Sequence, residues 1–234
     1  PGFATDAIES SRCAECVPGK FTNGVHAVYC IDCPNGFYAD KSGSNYCIEC
    51  KNGTYSIIQG SPSKENCVDC PSGKISYSGS QTCEFCPAGK WSNEEVECVD
   101  CPGGKYSFTI GLKAETQCKN CPVGKYNDQT GIIYENECKE CFPGYIGIVE
   151  GAIKNTSCVP CEQGKFRNSI SQCLDCDDGF VALQAQQECK ICPSGKVSDE
   201  YKINCIDCPL GKFGNAQGLY LTDSCLSCDR GRYS

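Results

Sequence analysis

Apolar side chains are spread evenly along this chain and never collect into a run that could build one shared core. No convincing 3.6-residue periodicity is present; only "VALQAQQECK", Val181 to Lys190, would suit one helical turn or two. What recurs is a short phrase, Cys-x-x-Cys, with Gly three residues after the second Cys and an apolar side chain two residues beyond that Gly. The glycines are Gly19, Gly36, Gly53, Gly73, Gly89, Gly104, Gly124, Gly144, Gly164, Gly179, Gly195, Gly211 and Gly231. A position filled only by Gly indicates a positive φ or a close chain approach, hence a turn. The apolar position is aromatic at Phe21, Tyr38, Tyr55, Trp91, Tyr106, Tyr126, Phe166, Phe213 and Tyr233, and aliphatic at Ile75, Ile146, Val181 and Val197. Each unit thereby offers one apolar plate, expected to pack on its neighbour's disulfide. Pro follows the second Cys at Pro34, Pro71, Pro87, Pro102, Pro122, Pro193 and Pro209, which disfavours helix there. The rest of each unit is polar and variable, as in "NDQTGIIYENE", and predicts a loop or hairpin.

The pairs begin at Cys13, Cys30, Cys47, Cys67, Cys83, Cys98, Cys118, Cys138, Cys158, Cys173, Cys189, Cys205 and Cys225, in steps of 15 to 17 or of 20 residues. Repetition at two such sizes, with no linker, predicts a continuous tandem array: small, disulfide-rich, mostly irregular with short β-hairpins and little or no helix, stacked as an elongated rod. "PGF" at Pro1 matches the "VPGKF" after Cys16, and "CDRGRYS" opens a unit that does not close, so the array is expected to continue beyond both ends of residues 1–234.

Composition sharpens this picture. The apolar fraction of 40% includes 26 cysteines, leaving about 29%, so covalent links must replace burial. A net charge of −8 with no Lys/Arg cluster works against nucleic acid. No apolar run approaches the roughly 20 residues that span a bilayer, so a membrane is expected only through segments outside this chain.

Cys-x-x-Cys can be a zinc clamp, a redox centre or a staple. Thirteen pairs is an odd number for four-thiolate sites, Pro rather than Gly follows the second Cys, and zinc thiolates would add negative charge to an acidic chain. Asp or Glu stands just before the second Cys at Glu15, Asp32, Glu49, Asp69, Asp100, Glu140, Asp175 and Asp207, and neighbouring carboxylates disfavour a reactive thiolate. The staple reading, in an oxidising extracellular setting, is favoured. Pairing of first with third and second with fourth would suit unit lengths alternating in twos, which these do not. The favoured pairing therefore closes each unit: Cys16 with Cys30, Cys33 with Cys47, Cys50 with Cys67, Cys70 with Cys83, Cys86 with Cys98, Cys101 with Cys118, Cys121 with Cys138, Cys141 with Cys158, Cys161 with Cys173, Cys176 with Cys189, Cys192 with Cys205, and Cys208 with Cys225. Cys13 and Cys228 are left for partners outside the chain. First-to-third links in non-reducing peptide maps would overturn this.

Lys follows the repeat Gly at Lys20, Lys74, Lys90, Lys105, Lys125, Lys165, Lys196 and Lys212. Stacked units could interleave these with the acidic positions into a ladder of ion pairs, but a plain solvated surface, with each pair worth under about 1 kcal/mol, is the favoured reading. Asn52-Gly53-Thr54 and Asn155-Thr156-Ser157 are acceptors for N-linked glycan. His26 reads as a loop residue. Tyr29, Tyr46, Tyr134, Tyr145 and Tyr220 read as exposed lateral contacts or as rings on local disulfides. No unit gathers the oxygen ligands calcium needs, and no nucleophile–base pair or phosphate cradle emerges, so neither a cofactor nor catalysis is expected.

At Cys-x-x-Cys-Pro-x-Gly-Lys-aromatic the chain resembles the ephrin-receptor-like cysteine-rich repeats, which are similar to the modules of tumour necrosis factor receptors. The likeness runs from "CAECVPGKF" at Cys13 to "CLSCDRGRYS" at Cys225. It implies small disulfide-closed β units stacked into elongated ectodomains, with the Cys before Pro joined to the next Cys. Long uninterrupted arrays are more like surface proteins of protists and algae. The chain lacks the four-Cys second module of the receptor domains. The expectation is a non-catalytic extracellular structural protein, forming a rod or filament by self-association or with other surface proteins. The alternative is a receptor or adhesion ectodomain that binds a protein ligand.

Overall fold

The structure, a computed structural model, describes residues 1–5, 13–93 and 96–230. Gly231 and Tyr233, the last copies of the repeat Gly and plate, lie outside the described residues. By their contacts the residues divide into two compact units: Pro1–Pro102 with Tyr106–Lys119 and Thr130–Ile133, and Gly103–Lys105 with Asn120–Gln129 and Tyr134–Ser234. The Cys spacing does not change at this division.

Each repeat is built the same way. The residues after the second Cys close a four-residue turn, as where Phe37 N–H donates to the Pro34 carbonyl at 3.1 Å. Gly36, third in that turn, has φ +83°, the conformation that a type II turn demands at this place. The next two residues form a strand that pairs with the two residues between the following cysteines, Lys20 opposite Asp32 and Phe21 opposite Ile31. The second Cys extends the ladder by donating its N–H back to the repeat Gly carbonyl, from Cys16 to Gly2 at 2.9 Å through Cys228 to Gly211 at 2.9 Å. Among the described residues, twelve two-stranded sheets and one of three strands result.

Twelve disulfides link the second Cys of each pair to the first Cys of the next, from Cys16–Cys30 to Cys208–Cys225, with Cα separations of 5.5–5.9 Å. The two unit sizes have a structural cause. In the five loops that span 17 residues the extra length forms a 3-10 turn just before the closing Cys, at Lys64–Asn66, Glu115–Gln117, Glu135–Glu137, Asn155–Ser157 and Thr222–Ser224. Among the described residues there is no α-helix. The helical turns expected over Val181 to Lys190 are not formed. Val181 instead pairs across a hairpin with Lys190, and Ala185 takes a left-handed φ of 61°, which no right-handed helix accommodates.

The core is a string of half-cystines. In most pairs the second Cys is the deeper one, with Cys33, Cys86, Cys101, Cys121 and Cys192 fully buried. The apolar plates are half-buried in most repeats and buried at Ile75 and Val197. Trp91 packs against Cys101, Leu112 and Cys118, a plate on the disulfide of the following repeat as expected. Phe213 departs from this and stays 42% exposed; the plate that would follow it, Tyr233, is outside the described residues.

Candidate functional site

The feature that recurs in both compact units is the seam between successive repeats, and it is built from backbone. In most repeats the Gly sends its N–H to the residue three beyond the Gly of the next repeat: Gly19 to the Ala39 carbonyl at 2.8 Å, Gly36 to Ser56 at 2.8 Å, Gly104 to Asn127 at 2.8 Å. That receiving residue passes a bond further along, as from Ala39 N–H to Ser61 at 3.1 Å and from Asn127 N–H to Ala152 at 2.9 Å. At Gly73 and Gly179 the acceptor is a hydroxyl instead, Ser92 Oγ and Ser198 Oγ, each at 3.0 Å. The carbonyl of the second Cys is also satisfied by the next repeat, from Gly43 N–H to Cys16 and from Gly151 N–H to Cys121, both 2.8 Å.

Reasoning from sequence missed the residue three beyond the Gly. It is Thr22, Ala39, Ser56, Ser76, Ser92, Ser107, Asn127, Gly147, Ala182 and Ser198, all buried, and Gly214, which is half-buried. The signal was present as constant small size under changing chemistry. Arg167 breaks it. Its repeat closes over only 12 residues through the hairpin of Lys165–Ser169 and Gln172–Asp175. The guanidinium supplies what a loop N–H supplies elsewhere, donating to the Cys141 and Phe142 carbonyls at 2.9 and 3.2 Å, with Glu140 at 3.5 Å. Lys202 does the same for the Cys176 carbonyl at 2.6 Å. Arg167→Ala is expected to cost about 1–3 kcal/mol, because two carbonyls lose a charged donor. Denaturant unfolding with the disulfides intact measures this, and a full-stability variant would refute the role.

The repeats also reach past their neighbours. A Cβ placed on Gly19 would lie 2.2 Å from the Gly60 carbonyl oxygen, and one on Gly36 would lie 2.1 Å from that of Gly79. In the second compact unit a Cβ on Gly104 would meet the Gly151 carbonyl oxygen at 2.2 Å, and one on Gly179 would meet that of Gly218 at 1.9 Å. In each case the approaching loop belongs to the repeat after next. Each of these repeats therefore touches the repeat after next as well as its neighbour.

Four of the repeat lysines pair within their own hairpin rather than between stacked repeats. Lys20–Asp32 at 2.8 Å, Lys90–Asp100 at 2.6 Å, Lys165–Asp175 at 3.6 Å and Lys196–Asp207 at 2.8 Å each join directly opposed residues of one hairpin. The strand register explains it, since the residue after Gly faces the residue before the second Cys. Being largely exposed, each pair contributes under about 1 kcal/mol. A further pair, Lys139 with Asp128 at 3.0 Å, is solvent-exposed. The hydrogen bond from Lys139, then the backbone N–H and the lysine charge, hold the Asp128 carboxyl below its ordinary value. Lys139→Gln is expected to move that titration upward, read by NMR. The sign follows: this contribution is present above the unfolded carboxylate pKa and is lost as pH falls through the lower folded value.

Cys13 is exposed and Cys228 half-buried, and both are free. Asn52 and Asn155 are exposed. Asn52 accepts through Oδ1 from the Ser78 N–H at 2.8 Å. Tyr29, Tyr46 and Tyr134 are exposed, whereas Tyr145 and Tyr220, each in a strand, are half-buried. His26 sits in an exposed loop with φ 66°. Among the described residues no three His, Cys, Asp or Glu side chains converge as metal ligands, and no helix is long and apolar enough to cross a membrane.

Residues 2–46 and 19–67 match the family model for tyrosine-protein kinase ephrin type A/B receptor-like sequences. This stretch is thus similar to the ephrin-receptor-like cysteine-rich repeats. The same phrase, turn and hairpin continue from there to Cys228. No curated protein matches the chain. Repeats of this kind with many disulfides point to an extracellular, oxidising environment.

Proposed function

We propose that the chain is a non-catalytic extracellular structural protein whose repeats build a rod or filament, as a coat, an adhesive fibre or a flagellar hair. The observation that supports this reading is the seam. Nearly every bond in it uses backbone or a small side chain, so the same joint can be repeated without limit and without specialising any unit. Glycan on Asn52 and Asn155, both exposed, fits a surface location. Partners would be further copies or other surface proteins.

Electron microscopy of native, unreduced material tests the proposal. A polymer with a regular axial repeat is the expected result. Dispersed particles that bind a soluble protein ligand would replace it with the receptor reading.

A further inference from the structure

Three Asn-Gly steps occur in the chain: Asn23-Gly24, Asn35-Gly36 and Asn52-Gly53. Asparagine before glycine is chemically fragile, because no side chain hinders attack by the glycine nitrogen on the asparagine Cγ. Two of the three are locked by the seam. Gly36 N–H is held by the Ser56 carbonyl at 2.8 Å and Gly53 N–H by the Ser76 carbonyl at 2.9 Å. Their asparagines are held as well, Asn35 Nδ2 to Gln81 at 3.5 Å and Asn52 Oδ1 by Ser78. Gly24 is different. It is not a repeat Gly, its φ is not left-handed, and no described residue accepts its N–H. A Cβ added there would meet nothing closer than 3.9 Å, and Asn23 is exposed.

We propose that Asn23 is a site of spontaneous deamidation, and that the seam protects the other two. The Gly24 backbone nitrogen forms a bond to Asn23 Cγ; the side-chain amide nitrogen leaves as ammonia, taking the proton that the backbone nitrogen gives up. Water then opens the succinimide at either carbonyl, leaving Asp or isoaspartate and one further negative charge. The Asp product suits the repeat, since Asp40, Asp128 and Asp199 stand at the same place, four beyond the repeat Gly. Isoaspartate does not, because it lengthens the backbone by one carbon between two seam bonds, Gly2 N–H to Thr22 at 2.7 Å and Thr5 N–H to Ala27 at 3.2 Å. The modification would therefore loosen the first seam of the chain.

The test holds unreduced protein, produced without N-linked glycan so that Asn52 keeps a free amide, near neutral pH and 37 °C for weeks, then maps peptides by mass and by isoaspartyl methyl transfer. The Asn23 peptide is expected to convert about tenfold faster than those of Asn35 and Asn52, whose attack requires local opening. In the reduced, alkylated chain all three should convert at similar rates. Equal rates in the folded protein overturn the proposal, as does an Asn23 that stays intact there while the reduced chain converts.

Discussion

Gly36→Ala is expected to destabilise the first compact unit by about 2–5 kcal/mol, combining a left-handed Ala with overpacking against a neighbouring backbone. The backbone of Gly36 has φ +83°, and its new Cβ would stand 2.1 Å from the Gly79 carbonyl oxygen and 2.5 Å from its carbon. Neither atom is the end of a flexible side chain, so whole loops must separate. Gly195→Ala provides the comparison. Its φ is +86°, yet no heavy atom of the described residues lies within 4 Å of the added Cβ, so only the conformational cost of about 1–2 kcal/mol remains. Thermal unfolding with disulfides intact gives the difference, and hydrogen exchange should show lost protection at Gly36 and Gly60 in the first variant only. Equal losses in the two variants would mean that the close approach carries no weight.

Removing one disulfide, by Cys101→Ser with Cys118→Ser, is expected to cost about 3 kcal/mol through the freed 17-residue loop. A second loss is local. Trp91 and Leu112 rest on this disulfide, and Trp91 is the one tryptophan of the chain, so its emission should move to the red as water enters. The pair Cys33→Ser with Cys47→Ser opens a loop of 14 residues and should cost nearly as much while leaving the Trp91 emission unchanged. An unmoved emission in the first variant would refute the packing of the plate on that bridge.

The hairpin and its turn were legible in the sequence because both are local. A Gly that never varies three residues after Cys announces a turn, and Gly19 and Gly36 both prove left-handed. The second reason for those glycines was hidden. The carbonyl that crowds Gly19 belongs to Gly60, and nothing in a single sequence reports which residue comes back to fill such a space. The exposed character of the ion pairs was legible, but their partners were not, because pairing across the hairpin depends on register, which places Lys20 opposite Asp32. The seam residues were overlooked because Thr22, Ala39 and Ser56 share small volume rather than chemistry.

The closure of each loop upon itself has a mechanical consequence. Tension applied along the chain passes from one half-cystine to the other, across 5.5–5.9 Å, and bypasses a loop of 12 to 17 residues. Fully drawn out, such a loop would add roughly 40–60 Å. The slack stays sealed while the sulfur bridges hold, so a pulled chain yields first at its seams and hardly lengthens, whereas a reducing agent would turn the same material into a long and compliant thread.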